Sequence, residues 1–379
     1  MSKKVINIFS PFYFPQVNGM SFVVQKNVEA ALALNYNVNL LTFTGATSIS
    51  TESLFTFHIY GNGSLMNPIK GEIDRFLNTA ILVSNEDCIN ILHGWHSAFT
   101  NTILDNIDLI YGKTFVYSHG TGFSTNENIG RRLIRKINYC GQRQKLIKYM
   151  EKVYGMIFLT DNIKHRRCFD NNHYNQSVRF TLFNPVLERN VDFCKPIHHY
   201  NPFYNLFELP GRVAFCLSNY EKVKNQEYLI YLSIKYGFKL ICIGTEATDY
   251  YRYLVKFVSD HGYNRQIKLL FNQNDNIIVE AYKQSDFFLF ASRNDFSPLV
   301  LIEAAKYQIP FLSFETADTD RPGGFFCKSK KEYERKVKYL LDLEKPELRQ
   351  LGRMGLLYYE EFHSADKYIN KIKLILTNN

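Results

Sequence analysis

The sequence predicts an α/β protein made of two doubly wound halves, and three observations carry that prediction. Short apolar runs alternate with longer amphipathic stretches, the rhythm of parallel strands joined by helical crossovers. The rhythm occurs twice, broken between Leu187 and Pro210 by a segment that loses periodicity and gathers Pro196, Pro202 and Pro210, the punctuation of a linker. With 379 residues the chain also exceeds the size at which a single hydrophobic core stops growing.

The first half opens with an apolar strand, Val5 to Ser10, a loop from Pro11 to Gly19, a helical pattern from Ser21 to Leu34 and a second strand, Asn37 to Phe43. This is a βαβ unit, with Gly19 where the backbone turns tightly into a helix N-terminus. Further strand-like runs follow at Cys88 to Leu92, Thr114 to Ser118 and Gly155 to Leu159, each ending in a polar or glycine-bearing loop. After the break the alternation restarts with strand Arg212 to Leu217, helix Asn225 to Tyr236, strand Lys239 to Ile243, helix Tyr250 to His261 and strand Ile267 to Phe271. A helix at Asn276 to Gln284, a strand at Phe287 to Phe290, a helix at Leu299 to Tyr307 and a strand at Pro310 to Ser313 complete it. The connections are too short for anything but β-α-β crossovers. The expected domains are residues 1–195 and 205–359, and Ala365 to Leu376 reads as a terminal helix.

Composition bounds the chemistry. Hydrophobic residues at 46% and charged residues at 21% describe a globular protein rather than a disordered one. The net charge of +9 suits nucleic acid, an anionic membrane face or phosphate-bearing substrates alike, and plentiful Lys, Asn and Tyr also accompany AT-rich codons. No nucleic-acid module is recognisable, and the aromatics are spread through core strands rather than grouped on a basic surface, so no nucleic-acid partner is expected. Seven cysteines without a C-x-x-C pair suggest neither a disulfide framework nor a zinc site, which fits a reducing cytosol. Lys3 and Lys4 precede only a short apolar run, and no stretch approaches the roughly 20 apolar residues that span a bilayer. The expected location is cytoplasmic, soluble or peripheral at the inner face of a membrane.

Residues 131–152 bear on that last point. Arg131, Arg132, Arg135, Lys136, Arg143, Lys145, Lys148 and Lys152 face one acid, Glu151, with Leu133, Ile134, Ile137, Leu146, Ile147 and Tyr149 interleaved. Two readings stand equal: a cationic amphipathic face for an anionic membrane, and a solvated helix face packed on the first sheet.

The stretch from Ser292 to Pro310 is the most informative. A strand ends in a polar loop, and Pro298 is expected in the first turn of the next helix, where its missing N–H costs nothing. The amides of Phe296, Ser297 and Leu299 would then point beyond the strand end, toward a site that attracts phosphate. Glu303 lies about one turn further, among Val300, Leu301, Ile302, Ala304 and Ala305. A carboxylate in such company needs partners, and the two hydroxyls of a ribose would supply them. The bland alternatives are a helix-surface Glu303 and a loop or capping Asp295.

Asp295 and Glu303, seven residues apart, together with Ser292, Pro298, the Glu303-Ala304-Ala305 run and Pro310, resemble the E-x7-E signature of retaining GT-B glycosyltransferases, glycosyltransferase family 4. The resemblance extends along the chain in order. Pro15 to Gly19 is similar to the family's opening glycine loop, Tyr117-Ser118-His119-Gly120 to its strand-end His-Gly, and Thr160 to a Ser after a strand. Asn184-Pro185-Val186 looks like its N-G-V segment, and Lys224-Asn225 like the Lys-Gly or Lys-Asn whose ammonium neutralises the diphosphate. The sequence departs from the pattern twice: the first glutamate is Asp295, and the phosphate-binding arginine falls on Asn219, with Lys222 near enough to compensate.

The resemblance implies two Rossmann-like domains facing across a cleft, with the terminal segment 360–379 crossing back onto the first. It implies a retaining transfer of a hexose from a UDP- or GDP-linked sugar to a hydroxyl on a glycan or lipid-linked acceptor, in surface polysaccharide, lipopolysaccharide or glycoconjugate assembly. His119 and Asp295 would be catalytic. Gly19, Lys222, Lys224, Phe296, Ser297, Leu299 and Glu303 would bind the donor, with no cofactor and no metal. Asp318-Thr319-Asp320 accordingly reads as a loop rather than a metal site, and Arg321 beside it stands within reach of the donor. His93, Trp95 and His96 are candidates for the acceptor side. Two other classes remain open: a sugar-nucleotide epimerase, and a non-catalytic nucleotide-sugar-binding partner in a glycan-assembly complex.

Overall fold

The computed structural model describes residues 3–13, 19–42, 53–58, 70–95, 97–121, 129–163, 167–186, 188, 189, 191, 202–317 and 321–377. The chain divides into two compact units, one of Met1–Pro185 with Ala365–Asn379, the other of Val186–Ser364.

In the first unit the elements run β1 (Val5–Ser10), α1 (Gly19–Ala33), β2 (Asn37–Thr42), β3 (Leu54–His58), α2 (Lys70–Val83), β4 (Ile89–His93) and α3 (Ala98–Asp105). They continue with β5 (Lys113–Ser118), α4 (Ile129–Lys152), β6 (Gly155–Phe158), α5 (Phe169–His173) and β7 (Arg179–Thr181). The strands form one sheet in the order β3-β2-β1-β4-β5-β6-β7, every neighbour parallel. All five residues of β4 are buried, and β1 and β5 are buried along all but their first residue. That double-sided burial is why they read as continuous apolar runs.

The second unit runs α6 (Tyr204–Glu208), β8 (Val213–Leu217), α7 (Gln226–Tyr236), β9 (Lys239–Gly244), α8 (Asp249–Asp260), β10 (Ile267–Phe271), α9 (Asp275–Gln284), β11 (Phe287–Phe290) and α10 (Leu299–Lys306). Then come β12 (Phe311–Phe314), β13 (Gly324–Cys327), α11 (Lys330–Asp342) and α12 (Lys345–Phe362). Its sheet is ordered β10-β9-β8-β11-β12-β13, again parallel throughout. Counted within the unit this is the 3-2-1-4-5-6 order of a Rossmann fold, and the first sheet has the same order with one strand added. In each, the order reverses beside the first strand, between β1 and β4 and between β8 and β11.

The last helix, α13 (Ala365–Thr377), belongs to the first unit. Tyr368, Ile372, Ile375 and Leu376 are buried, and the Tyr36 hydroxyl donates to the carbonyl of Leu376.

The segment expected to be a linker is shorter than its composition implies. Phe203 and Leu206 are buried in the core of the second unit, and the Lys239 ammonium donates to the carbonyls of Leu206 at 2.7 Å and of Leu209. The tail of α6 is thereby tied to β9. At the other end, Val186 already belongs to the second unit, ten residues before the end expected for the first domain.

Helix α12 lies close against α10 and the turn after it, and glycine permits the approach. A Cβ on Gly352 would stand 1.9 Å from the carbonyl oxygen of Gln308. Replacing a mid-helix glycine by alanine ordinarily stabilises by about 1 kcal/mol, but here the clash is with backbone, which cannot rotate away. Gly352→Ala is expected to destabilise the second unit by about 1–3 kcal/mol. Gly71→Ala in α2, where a Cβ meets open space, should be neutral or stabilising. Urea unfolding of both variants checks the contrast, and equal effects would refute it.

Candidate active site

Where a doubly wound sheet reverses its strand order, the loops leaving the two central strands part, and ligands bind at the carboxyl ends. In the second unit those loops are 218–225 after β8 and 291–298 after β11. The first contains a 3-10 turn at Lys222–Lys224 and ends at Asn225 in the left-handed region, φ 60°, which an asparagine side chain tolerates. The two loops are bonded to each other: the Arg293 amide donates to the Val223 carbonyl at 3.3 Å and the Asn225 side chain to that of Ala291 at 3.4 Å. This brings the Lys224 ammonium to 2.8 and 2.9 Å from the two carboxylate oxygens of Asp295. Lys224 and Asp295 side chains are 21% and 23% exposed, so the pair stays in reach of solvent and ligand.

Helix α10 starts immediately beyond. Pro298 stands as its cap, with ψ 122°, one position earlier than the first-turn place expected for it. Leu299 and Val300 open the helix, and first-turn N–H groups have no intrahelical acceptor. Phe296 is buried, its carbonyl accepting from the Ala317 amide. Ser297 accepts from Arg321 at 3.4 Å. Lys222 is exposed and shares in none of these bonds, and Asn219, also exposed, accepts from Thr245 at 2.9 Å.

Glu303 is 1% exposed, so its need for a partner is real. The structure supplies one from the protein: Arg189 donates to Oε2 from Nε at 2.9 Å and from Nη2 at 2.7 Å, and reaches Asp275 through Nη1 at 2.9 Å. Burial pushes the Glu303 carboxyl above its usual range and Arg189 draws it back. Neighbouring Glu188 pairs with Lys306 at 2.8 Å on the same helix. Arg189 was hidden in the sequence because it sits in an aperiodic segment 114 residues from its partner.

In the first unit, His93 ends β4 and His119 follows β5, each preceding a glycine in the left-handed region, Gly94 at φ 82° and Gly120 at φ 83°. His93 is fully buried and both ring nitrogens are engaged, one with Asn27 of α1 and one with His119, each at 3.1 Å. It therefore does not line an acceptor surface, as a strand-end histidine was expected to. His119 is partly exposed. Burial, then the nearby Arg167 guanidinium, lower its pKa to about 4, and burial, then His119, hold that of His93 well below its usual value.

A second buried group was missed in the sequence. Asp170 accepts from the Trp95 indole N–H at 2.6 Å, from the Ser118 hydroxyl and from the Asn171 amide at 2.9 Å. Burial raises its pKa and the Ser118 and Trp95 bonds oppose the rise. One carboxylate thus fixes the loops after β4 and β5 together. Thr160 accepts from the Asn162 amide at 3.1 Å, and Asn184 is buried. Gly19 is the exposed first residue of α1.

Residues 14–18, His96 and Asp318-Thr319-Asp320 lie outside the described residues, as do the side chains of residues 129–139 in α4. Among the described residues no group of His, Cys, Asp and Glu is arranged to hold a metal ion, and no helix is long and apolar enough to cross a membrane. The described part of α4 turns Leu146, Tyr149 and Met150 into the core, while Lys145 pairs with Asp105 and Lys152 with Asp108. Those apolar residues are used in packing and are not a membrane-facing stripe.

The fold is that of the GT-B class, two Rossmann-like domains as in known glycosyltransferases. Residues 202–355 match the family described as glycosyl transferases group 1. Over its whole length the chain superposes on solved structures. Sucrose-phosphate synthase from Thermosynechococcus elongatus gives a TM-score of 0.75 at 11% identity, with 99% of each chain covered. A glycosyltransferase from Rickettsia africae ESF-5 gives 0.72 at 14%, with 100% of each covered. The pneumococcal O-GlcNAc transferase GtfA in complex with UDP and GlcNAc gives 0.64 at 12%, again with 100% of each. At these identities the likeness is one of fold. No curated protein sequence matches.

Removing Arg189 would leave a buried carboxylate without its cation. Because the folded pKa of Glu303 is raised above 4.5, its stabilising contribution is complete below 4.5 and is lost as the pH rises through the folded value. Arg189→Met raises that value further, so the variant should lose about 3–5 kcal/mol at pH 7 and regain part of it on acidification toward pH 5. Adding Glu303→Leu should restore most of the loss at pH 7. Urea unfolding at both pH values measures this, and a pH-independent loss would refute the assignment.

Proposed function

We propose that the protein is a glycosyltransferase that moves a hexose from a nucleoside-diphosphate sugar to a hydroxyl acceptor with retention of anomeric configuration. The observation that carries the proposal is the Lys224–Asp295 pair at the strand-order reversal of the second unit, beside the first turn of α10, in a segment matched by a glycosyltransferase family. An ammonium and helix N–H groups at one point make an electrostatic cradle for a diphosphate, and the negative charge they face grows as the bond to the sugar breaks.

In this reading the donor diphosphate takes the place of Asp295 at Lys224, and Asp295, released, accepts a hydrogen bond from the transferred sugar. Glu303 accepts from the ribose while Arg189 holds its other side. The acceptor oxygen bonds to the anomeric carbon from the face that the diphosphate leaves, the carbon–oxygen bond to the diphosphate breaks, and the acceptor proton passes to the departing phosphate oxygen. The protein supplies no covalent nucleophile. His119 donates a hydrogen bond to a substrate oxygen. The pneumococcal relative was solved with UDP, which supports a uridine donor first, and the acceptor class is a glycan or lipid-linked glycan.

Incubation with UDP- and GDP-linked sugars tests the reading, with thermal stabilisation and release of nucleoside diphosphate as readouts. At least one donor is expected to stabilise the protein and to turn over when acceptor is supplied. Lys224→Ala should lower turnover by about 10²–10³-fold with the circular dichroism unchanged. Stabilisation by a donor without turnover under any acceptor would favour a binding partner instead, and product formation without acceptor an epimerase.

A further inference from the structure

Four side chains of the first unit, three of them buried and drawn from three elements and the fourth on the loop after β5, form one continuous hydrogen-bonded line. The Tyr368 hydroxyl on α13 donates to Oδ1 of Asn27 on α1. The Nδ2 of Asn27 stands 3.1 Å from Nε2 of His93 at the end of β4. Nδ1 of His93 stands 3.1 Å from Nε2 of His119 after β5. Asn27, His93 and Tyr368 are each at most 3% exposed, so water does not compete for these bonds.

The line has a direction. An amide whose oxygen accepts from the tyrosine hydroxyl has only its N–H2 to offer His93, so Nε2 of His93 must be the bare nitrogen. A neutral imidazole with Nε2 bare carries its proton on Nδ1 and donates it to Nε2 of His119. His119 in turn carries its proton on Nδ1, which has no partner among the described residues. We propose that Tyr368, Asn27 and His93 are positioning residues that fix His119 in the neutral Nδ1–H form and present it to a substrate as a hydrogen-bond donor.

This deepens the glycosyl-transfer reading and rests on it for the identity of the substrate oxygen. A histidine so held cannot take a proton at Nε2, which is already an acceptor, so His119 grips a sugar hydroxyl or phosphoryl oxygen rather than acting as a base. The surroundings favour the neutral form: burial comes first, the Arg167 guanidinium opposes a second positive charge, and Tyr117, which stacks on the ring at 5.0 Å, offers no counter-charge, since burial only raises its already high pKa. The terminal helix thus contributes to the site through Tyr368, without touching substrate.

Long-range proton–nitrogen correlation on the full chain labelled with 15N-histidine reads the tautomers directly, with His93 and His119 assigned by single substitutions. Both are expected to show a protonated Nδ1 and a bare Nε2 at pH 7. In Asn27→Asp the carboxylate only accepts, so His93 must place its proton on Nε2 and His119 loses its Nδ1–H preference. Turnover should then fall about tenfold or more with donor KM within about twofold. Tyr368→Phe, which keeps the packing, should give mixed tautomers and a smaller loss. A wild-type His119 protonated on Nε2, or an unchanged His119 tautomer in Asn27→Asp, overturns the proposal. The spectra need no substrate, so a protein that transfers no sugar yet shows the Nδ1–H form refutes glycosyl transfer and leaves the relay standing.

Discussion

In a parallel sheet whose strand order reverses, the connections leaving the two central strands run to opposite faces, and their loops must part at the carboxyl edge. Both units obey this constraint at the same place, after β1 and β4 and after β8 and β11. Almost everything chemically unusual in the chain sits at or next to these two partings. Lys224 and Asp295 close the one in the second unit, and His93, Trp95 and Asn27 border the one in the first, with His119 one strand over. The backbone sets the location, and the side chains decide what each parting can hold.

Two ion pairs of the second unit, Arg189–Glu303 and Lys224–Asp295, differ in burial, and that difference separates their roles. Arg189 and Glu303 are 7% and 2% exposed, so separating them would strand a charge in a low-dielectric interior, at a cost of several kcal/mol. Lys224 and Asp295 are each about a fifth exposed, so water reaches both partners and separating them costs little. The exposed pair can therefore exchange its partners, and the buried pair cannot. The same logic separates the two histidines: His93 is buried with both nitrogens occupied and serves the structure, while His119, partly exposed, has a partner on only one nitrogen among the described residues.

Much of the fold was legible because fully buried parallel strands are unbroken apolar runs: Phe287 to Phe290, buried at every position, was read to the residue. Elements without that signature were not assigned. β3 carries an exposed Phe55, and β13 is only half-buried over three of its four residues. Helix α11 buries only Tyr333, Val337 and Leu340 among thirteen residues, too thin a stripe to dominate its charged face. In the site, burial of Glu303 followed from its apolar neighbours, but its partner did not, because nothing local to Glu303 or to Arg189 encodes a contact 114 residues apart. Asp170 and the line from Tyr368 to His119 were invisible for the same reason: α1, α5 and α13 supply polar residues that sequence leaves looking like surface.

Asp295 shows how a departure from a family pattern acquires physical sense in its surroundings. A glutamate there would have one more methylene and one more rotatable bond, and its carboxylate would range further from the loop. The shorter aspartate is held by Lys224 on both oxygens, and Lys224 is itself fixed by the bonds from Asn225 and Arg293 that join the two loops. The pair neutralises two charges that would otherwise need solvent. In the proposed reading a diphosphate draws the ammonium away and leaves the carboxylate within the same short radius, oriented by its backbone. In that reading whatever it touches must come to it, so the reach of the sugar, rather than the length of the acid, decides whether the contact is direct or carried by a water.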